Sequence, residues 1–151
     1  MPRVKLELPS NSLGTFLIPV RITDINYGNH VGNNAIVEII HEARVQFLRS
    51  HNFTELNAGG VALIMNELVV EYKNESFYND QLNVVVLCGE ITRVSFEIFY
   101  EISVMRDQIN IIIAHAKTGM VGYNYEEKKV AAITNELRVA LSHEPCARTK
   151  N

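Results

Sequence analysis

Two periodicities divide the chain. Between residues 33 and 50, Ile36, Ile39, Ile40, Ala43 and Phe47 recur at spacings of three, one, three and four. That is one apolar stripe of an α-helix. Val37 and Leu48 widen it, and Glu38, Glu42 and Gln46 form the polar side at i, i+4 and i+8. Asn33 or Asn34 is the expected N-cap, because an Asn side-chain oxygen can accept from an unpaired amide of the first turn. A helix ending near Ser50 spans about 17 residues and ~25 Å. From Val61 onward the period drops to two, the signature of strands. Strands are predicted over 61–72, 82–93, 94–105 and 109–125. In the third of these, Val94, Phe96, Ile98, Tyr100, Ile102 and Val104 share a face, and Ser95, Glu97, Glu101 and Ser103 share the other. A first strand is expected over 15–23, at a sheet edge because Pro19 cannot donate to a ladder. A short helix is expected over 134–141.

One helix of real length and four or five strands on short connections predict an α+β domain with an antiparallel sheet. The sheet should curl around that helix, its only long cover. No linker or repeat interrupts the 151 residues, so one domain over 1–151 is expected. The parts of 61–70 and 109–114 that are apolar on both faces need a second cover. A second copy would supply it, which predicts a homodimer or higher oligomer.

Composition narrows the function. A net charge of −3 argues against a nucleic-acid surface. No apolar run approaches the roughly 20 residues that span a bilayer, so no membrane partner is expected. The start lacks the apolar core of a signal peptide. Cys88, in a strand-like run, and Cys146, in a polar tail, read as a buried and a tail thiol. No Cys/His cluster has zinc-ligand spacing. A cytoplasmic protein without metal or cofactor is expected.

The candidate chemistry is concentrated in the loop ahead of the helix. Asp24, Asn26, Asn29, His30, Asn33 and Asn34 crowd into eleven positions, with Gly28 and Gly32 among them. Each has a plainer role as well: Asp24 and Asn26 as turn formers, His30 as a loop-ordering hydrogen bonder, the later asparagines as caps. Glu42 lies about 160° around the helix from Ile40 at ~100° per residue, away from the core stripe. It faces either solvent or a partner's pocket. Asn66 and Glu67 break an apolar strand, as an edge or bulge would, or else line a pocket. His41 and His115 read as packing residues. Lys117, Lys128 and Lys129 read as solubilising surface charges.

The loop and helix resemble the hotdog-fold acyl-CoA thioesterases of the 4-hydroxybenzoyl-CoA type. Their signature runs roughly Asp-x-Asp-x-x-Gly-His-Val-Asn-Asn-Ala, followed by a helix with Glu-Ala-Arg. Asp24, Asn26, His30 and Val31 match in register; Gly32 is one extra residue before Asn33-Asn34-Ala35; Glu42-Ala43-Arg44 supplies the helical part. Tyr72 and Asp80 also suit the family layout. The resemblance implies a curled antiparallel sheet wrapped around one long central helix, assembled as a homodimer or a dimer of dimers. It further implies an acyl-CoA or acyl-carrier thioester bound at the dimer interface. There an acidic residue acts as nucleophile or general base, and the amides of Asn33, Asn34 and Ala35 polarise the carbonyl. The family's second loop Asp is Asn26 here, and an amide cannot be a base. Glu42, Asp24 and His30 stand as substitutes. Two functions remain open: hydrolysis, or acyl-ligand binding by a protein that lost its acid. A dehydratase of the same fold is a third, without a recognisable His-plus-acid arrangement.

Overall fold

A computed structural model describes residues 3–142, so Cys146 lies outside the described part. Helix α1 runs Asn33–Arg49, starting where the apolar stripe begins. Its buried side is Ala35, Ile36, Ile39, Ile40, Ala43, Phe47 and Leu48, together with one charged residue, Arg44. The expected Asn cap is replaced by Gly32, which takes the extended N-cap conformation and offers no side-chain acceptor.

Strands β1 (Ser12–Pro19), β2 (Ala62–Tyr72), β3 (Gln81–Ile91), β4 (Ser95–Arg106), β5 (Ile109–Asn124) and β6 (Lys129–Val130) form one antiparallel sheet. Its order is β1-β3-β4-β5-β2, with β6 added to β5. With helix α2 (Asn135–Ser142) the architecture is α+β. The first strand starts and ends earlier than its residues suggest. Pro19 closes it on a true sheet edge, and Ile22–Asp24 turn instead into a 3₁₀ segment. Asp107 and Gln108 both have positive φ (48° and 66°), as a tight two-residue hairpin requires, and β4 passes directly into β5.

Two details set the sheet's register. Asn66 is the extra residue of a bulge between Met65 and Glu67, opposite β5. Gly119 faces it, and a Cβ there would lie 2.7 Å from Asn66 Oδ1. One face of β4, Phe96 through Val104, is buried in the core with Val84, Val86, Ala114, Ala116 and Met120, as the alternation requires. Leu87 and Phe99 point the other way and are buried too, outside that core. The segment before β1 explains why. The carbonyl of Asn11 accepts from Cys88 on β3, and Leu6 N donates to Glu71 on β2. Asn11 lies in the β1 lane, four strand spacings or ~19 Å from β2, and the six extended residues from Leu6 to Asn11 reach ~20 Å. The segment therefore crosses the sheet's outer face, half-burying Leu6, Leu8 and Pro9. At the β2 edge, Met65 and Leu68 stay substantially exposed.

Candidate active site

The loop from Val20 to Gly32 is folded by its own polar groups. Asp24 is buried and closes the 3₁₀ turn: it accepts from the Arg21 amide at 2.8 Å and from the Arg21 guanidinium at 3.1 Å. Asn26 Oδ1 accepts from the Gly28 amide at 2.9 Å, an Asx turn. The Asn26 amide donates to the carbonyl of His30, and the Asn29 amide donates back to Asn26 with Asn29 at φ 65°. The His30 ring contacts the carbonyl of Val31 through Nδ1 at 3.1 Å and places Nε2 3.5 Å from Glu75. Val31 N donates to Ser76 O and Gly32 N to Asp24 O, which ties the loop to the 73–80 connection.

This loop delivers the chain into α1 with its first amides open. Ala35 N and Ile36 N both donate to Gly32 O. Among the described residues, the amides of Asn33 and Asn34 meet no acceptor. Two unpaired N–H groups at the positive end of a helix attract negative charge. Asn33 lines a cleft of about 210 Å³ walled also by His30, Val31, Ile36, Tyr72, Glu75 and Ile113. The Tyr72 hydroxyl donates to the carbonyl of Asn33 at 2.9 Å and fixes that wall to the helix start. Gly32 keeps the approach narrow, since a Cβ there would lie 3.0 Å from Asn34 Oδ1.

Asn26, His30, Asn33, Asn34 and Ala35 are thus gathered at one end of α1. Asp24 is there by its backbone, its carbonyl accepting from Gly32 N, but its carboxylate and Glu42 are not. They line a separate groove of about 410 Å³ between α1 and the β1 edge, with Ile18, Pro19 and Glu38. Glu42 is exposed there and accepts from Gln46 Nε2 at 2.8 Å. Asn34 and Glu42 are eight positions apart, ~12 Å along the helix axis. One carbonyl polarised by the helix start cannot also contact its own helix's Glu42 main chain, although a side chain can lean back part of the way.

A third set of residues escaped the sequence reading. On the β2 side of α1, Glu55 accepts from Arg44 Nε at 2.8 Å and pairs with His41 Nε2 at 2.8 Å. Arg44 Nη1 donates to the Tyr100 hydroxyl, which shares a hydrogen bond with Thr118 at 2.8 Å. Burial works against the charge on Glu55, but the hydrogen bonds from Arg44 and His41 outweigh it and hold the carboxyl below its usual range. His41 is not the packing residue its neighbours suggest; its side chain is 54% exposed. The pairing spans fourteen positions across a loop, so no local spacing reveals it. Lys117 likewise departs from a free surface charge, bridging Glu67 at 3.0 Å and Glu97 at 3.5 Å.

The comparison with known families decides the ancestry: the thioesterase-like superfamily matches residues 20–141, loop, helix and sheet together. The chain belongs to that superfamily. Its hotdog layout recurs in solved structures. A 1,4-dihydroxy-2-naphthoyl-CoA thioesterase from Synechocystis superposes with a TM-score of 0.75 at 22% identity, over 84% of this chain and 93% of that one. A gentisyl-coenzyme A thioesterase gives 0.73 at 18% identity, over 85% and 99%. The dynemicin thioesterase gives 0.77 at 17% identity, over 87% and 96%. No curated protein sequence matches the chain. Among the described residues of this thioesterase-like chain, no three His, Cys, Asp or Glu side chains group as metal ligands, and no helix is long and apolar enough to cross a membrane.

Proposed function

We propose that the protein is a cytoplasmic acyl-CoA thioesterase that hydrolyses its substrate at the interface of a homodimer. The observation that carries this reading is the open start of α1: in a chain of the thioesterase-like superfamily, the Asn33 and Asn34 amides meet no acceptor and Asn33 lines a cleft. Donors aimed at a developing oxyanion, at a helix N-terminus and away from bulk water, are the main electrostatic aid to acyl transfer. Asn26 and His30 shape the loop that presents those amides. Val31, Ile36 and Ile113 give the cleft an apolar wall for the group next to the thioester. The partially exposed Met65 and Leu68 on the β2 edge suit burial against a second copy. The Asp24 carboxylate is bonded to Arg21 and Glu42 borders the other groove, and both stand as candidate acids for the reaction.

The test is thiol release from a panel of short, long and aromatic acyl-CoAs, with an acyl-carrier thioester beside them. Turnover of at least one member is expected. No thiol release from any member, with an acyl-CoA still retained by the protein, would instead establish the competing reading of Asn26, a non-hydrolytic acyl-ligand binder.

A further inference from the structure

We infer that His41 is the general base of this reaction, oriented by Glu55, and that it acts on a thioester held at the α1 start of the second copy. The inference rests on the thioesterase reading above.

His41 has the three features a base requires. One ring nitrogen is fixed: Nε2 sits 2.8 Å from Glu55 Oε1, so the carboxylate holds Nε2 protonated and leaves the Nδ1 lone pair available. Glu55 is itself immobilised by Arg44, which the core anchors through Tyr100 and Thr118. Nδ1 has no hydrogen bond among the described residues, and the ring lines a cleft of about 380 Å³ between α1 and β2, walled by Val37, Ile64, Met65 and Leu68. The ring also borders the groove beside β1, where Glu42, one residue on, stands as well.

The second copy follows from distance. His41 lies eight positions from Asn33, ~12 Å along one helix. Reacting atoms need to approach to about 3–3.5 Å, so one protomer cannot place both groups on one carbonyl. The cleft that holds His41 opens at the β2 edge, where the apolar side chains lack cover. A second copy paired there would have to bring its own α1 start to His41, which the heterodimer below tests. The step balances. Water attacks the thioester carbonyl, and Nδ1 takes its proton. The carbonyl electron pair moves to oxygen at the Asn33 and Asn34 amides. As the carbonyl re-forms, the C–S bond breaks and the thiolate leaves with the proton from the imidazolium, giving a carboxylic acid and a thiol.

The charged and titratable groups around His41 are Glu38, Glu42 and Arg44 on α1, Glu55 from the loop, Arg21 and Asp24 across the β1 groove, and Tyr125 at the end of β5. On the substrate that the wild type turns over, His41→Asn should lower kcat by about 10²–10⁴-fold with little change in KM. Glu55→Gln keeps an acceptor for Arg44. It should lower kcat at least about tenfold with KM unchanged, and Glu55→Asp should restore part of that loss. A purely structural Glu55 would show a lowered Tm with kcat of the folded variant unchanged. For the trans arrangement, a His41→Asn copy is paired with an Asn33→Pro copy in a doubly tagged heterodimer. Proline suits the first helical position and deletes only an amide donor. Each homodimer should be impaired, and the heterodimer should recover about half of wild-type activity, since one of its two sites is intact. Wild-type kcat in His41→Asn, or loss of turnover in Glu42→Gln instead, would overturn the assignment of the base. A heterodimer as inactive as its parents would overturn the sharing between copies. A wild type inactive on every thioester would strike at the proposed function itself.

Discussion

Tyr100 is fully buried, and its hydroxyl is the one atom that joins Arg44 of the helix to Thr118 of the sheet. Tyr100→Phe leaves an Arg donor and a Thr hydroxyl short of a partner, which costs about 1–3 kcal/mol. For a chain of this length that lowers Tm by roughly 2–4 °C per kcal/mol, measurable by calorimetry. Cys88 illustrates the opposite environment. Burial, then Glu97, pushes its thiol up to about 11, so almost no thiolate forms near neutrality. Iodoacetamide at pH 8 should therefore leave Cys88 unmodified in the folded protein and label it in urea, as read by peptide mass. That Cys88 was buried was legible from its strand, because burial follows from alternation. The partnership of His41 and Glu55 was not: it depends on how residues 51–60 pack back on α1, which no residue pattern encodes.

The elements themselves were largely written in periodicity. The apolar stripe fixed α1, and alternation located the four long strands to within a residue or two at most ends. The first strand was misplaced because a carboxylate, Asp24, closes a 3₁₀ turn on Arg21 in a stretch that otherwise reads as extended. The cap was misread for a related reason: Gly32 occupies the N-cap, and Asn34 sits inside the first turn. Gly32→Asp would supply the missing cap acceptor. Its Cβ would meet Asn34 Oδ1 at 3.0 Å and an Asp cap gains only about a few tenths of a kcal/mol over Gly, so Tm should hardly move while kcat falls, because the new carboxylate competes with the oxyanion for the same amides. Gly122 is held to glycine by packing. An added Cβ would collide with the carbonyl oxygen of Ala131, so Gly122→Ala should destabilise by about 1–3 kcal/mol in urea titration through overpacking, with the segment after β6 displaced.

At the level of the whole molecule, two carboxylates tie distant segments and set the acid limit of stability. Burial disfavours the charge on Asp80, yet Arg106, the Phe77 amide and Ser76 more than compensate and depress its titration, as Arg44 and His41 do for Glu55. A carboxyl depressed in the folded state stabilises fully above the ordinary carboxylate range of about 4 and loses that contribution as pH falls through its lowered value. Thermal scans should show Tm dropping steeply below about pH 4. Asp80→Asn should destabilise by roughly 1.5–3 kcal/mol at pH 7, with the gap to wild type closing in acid. Light scattering at micromolar concentration should give twice the protomer mass, and Met65→Lys with Leu68→Lys on the β2 edge should return it to one. The strip that crosses the outer sheet face from Asn11 to Leu6 has a practical consequence. It acts as a sewn-down hem: trimming back to Ser10 removes the Leu6–Glu71 stitch and the half-buried Leu6, Leu8 and Pro9 with it. Aggregation seen after such a trim would report the lost hem and not the fold beneath it.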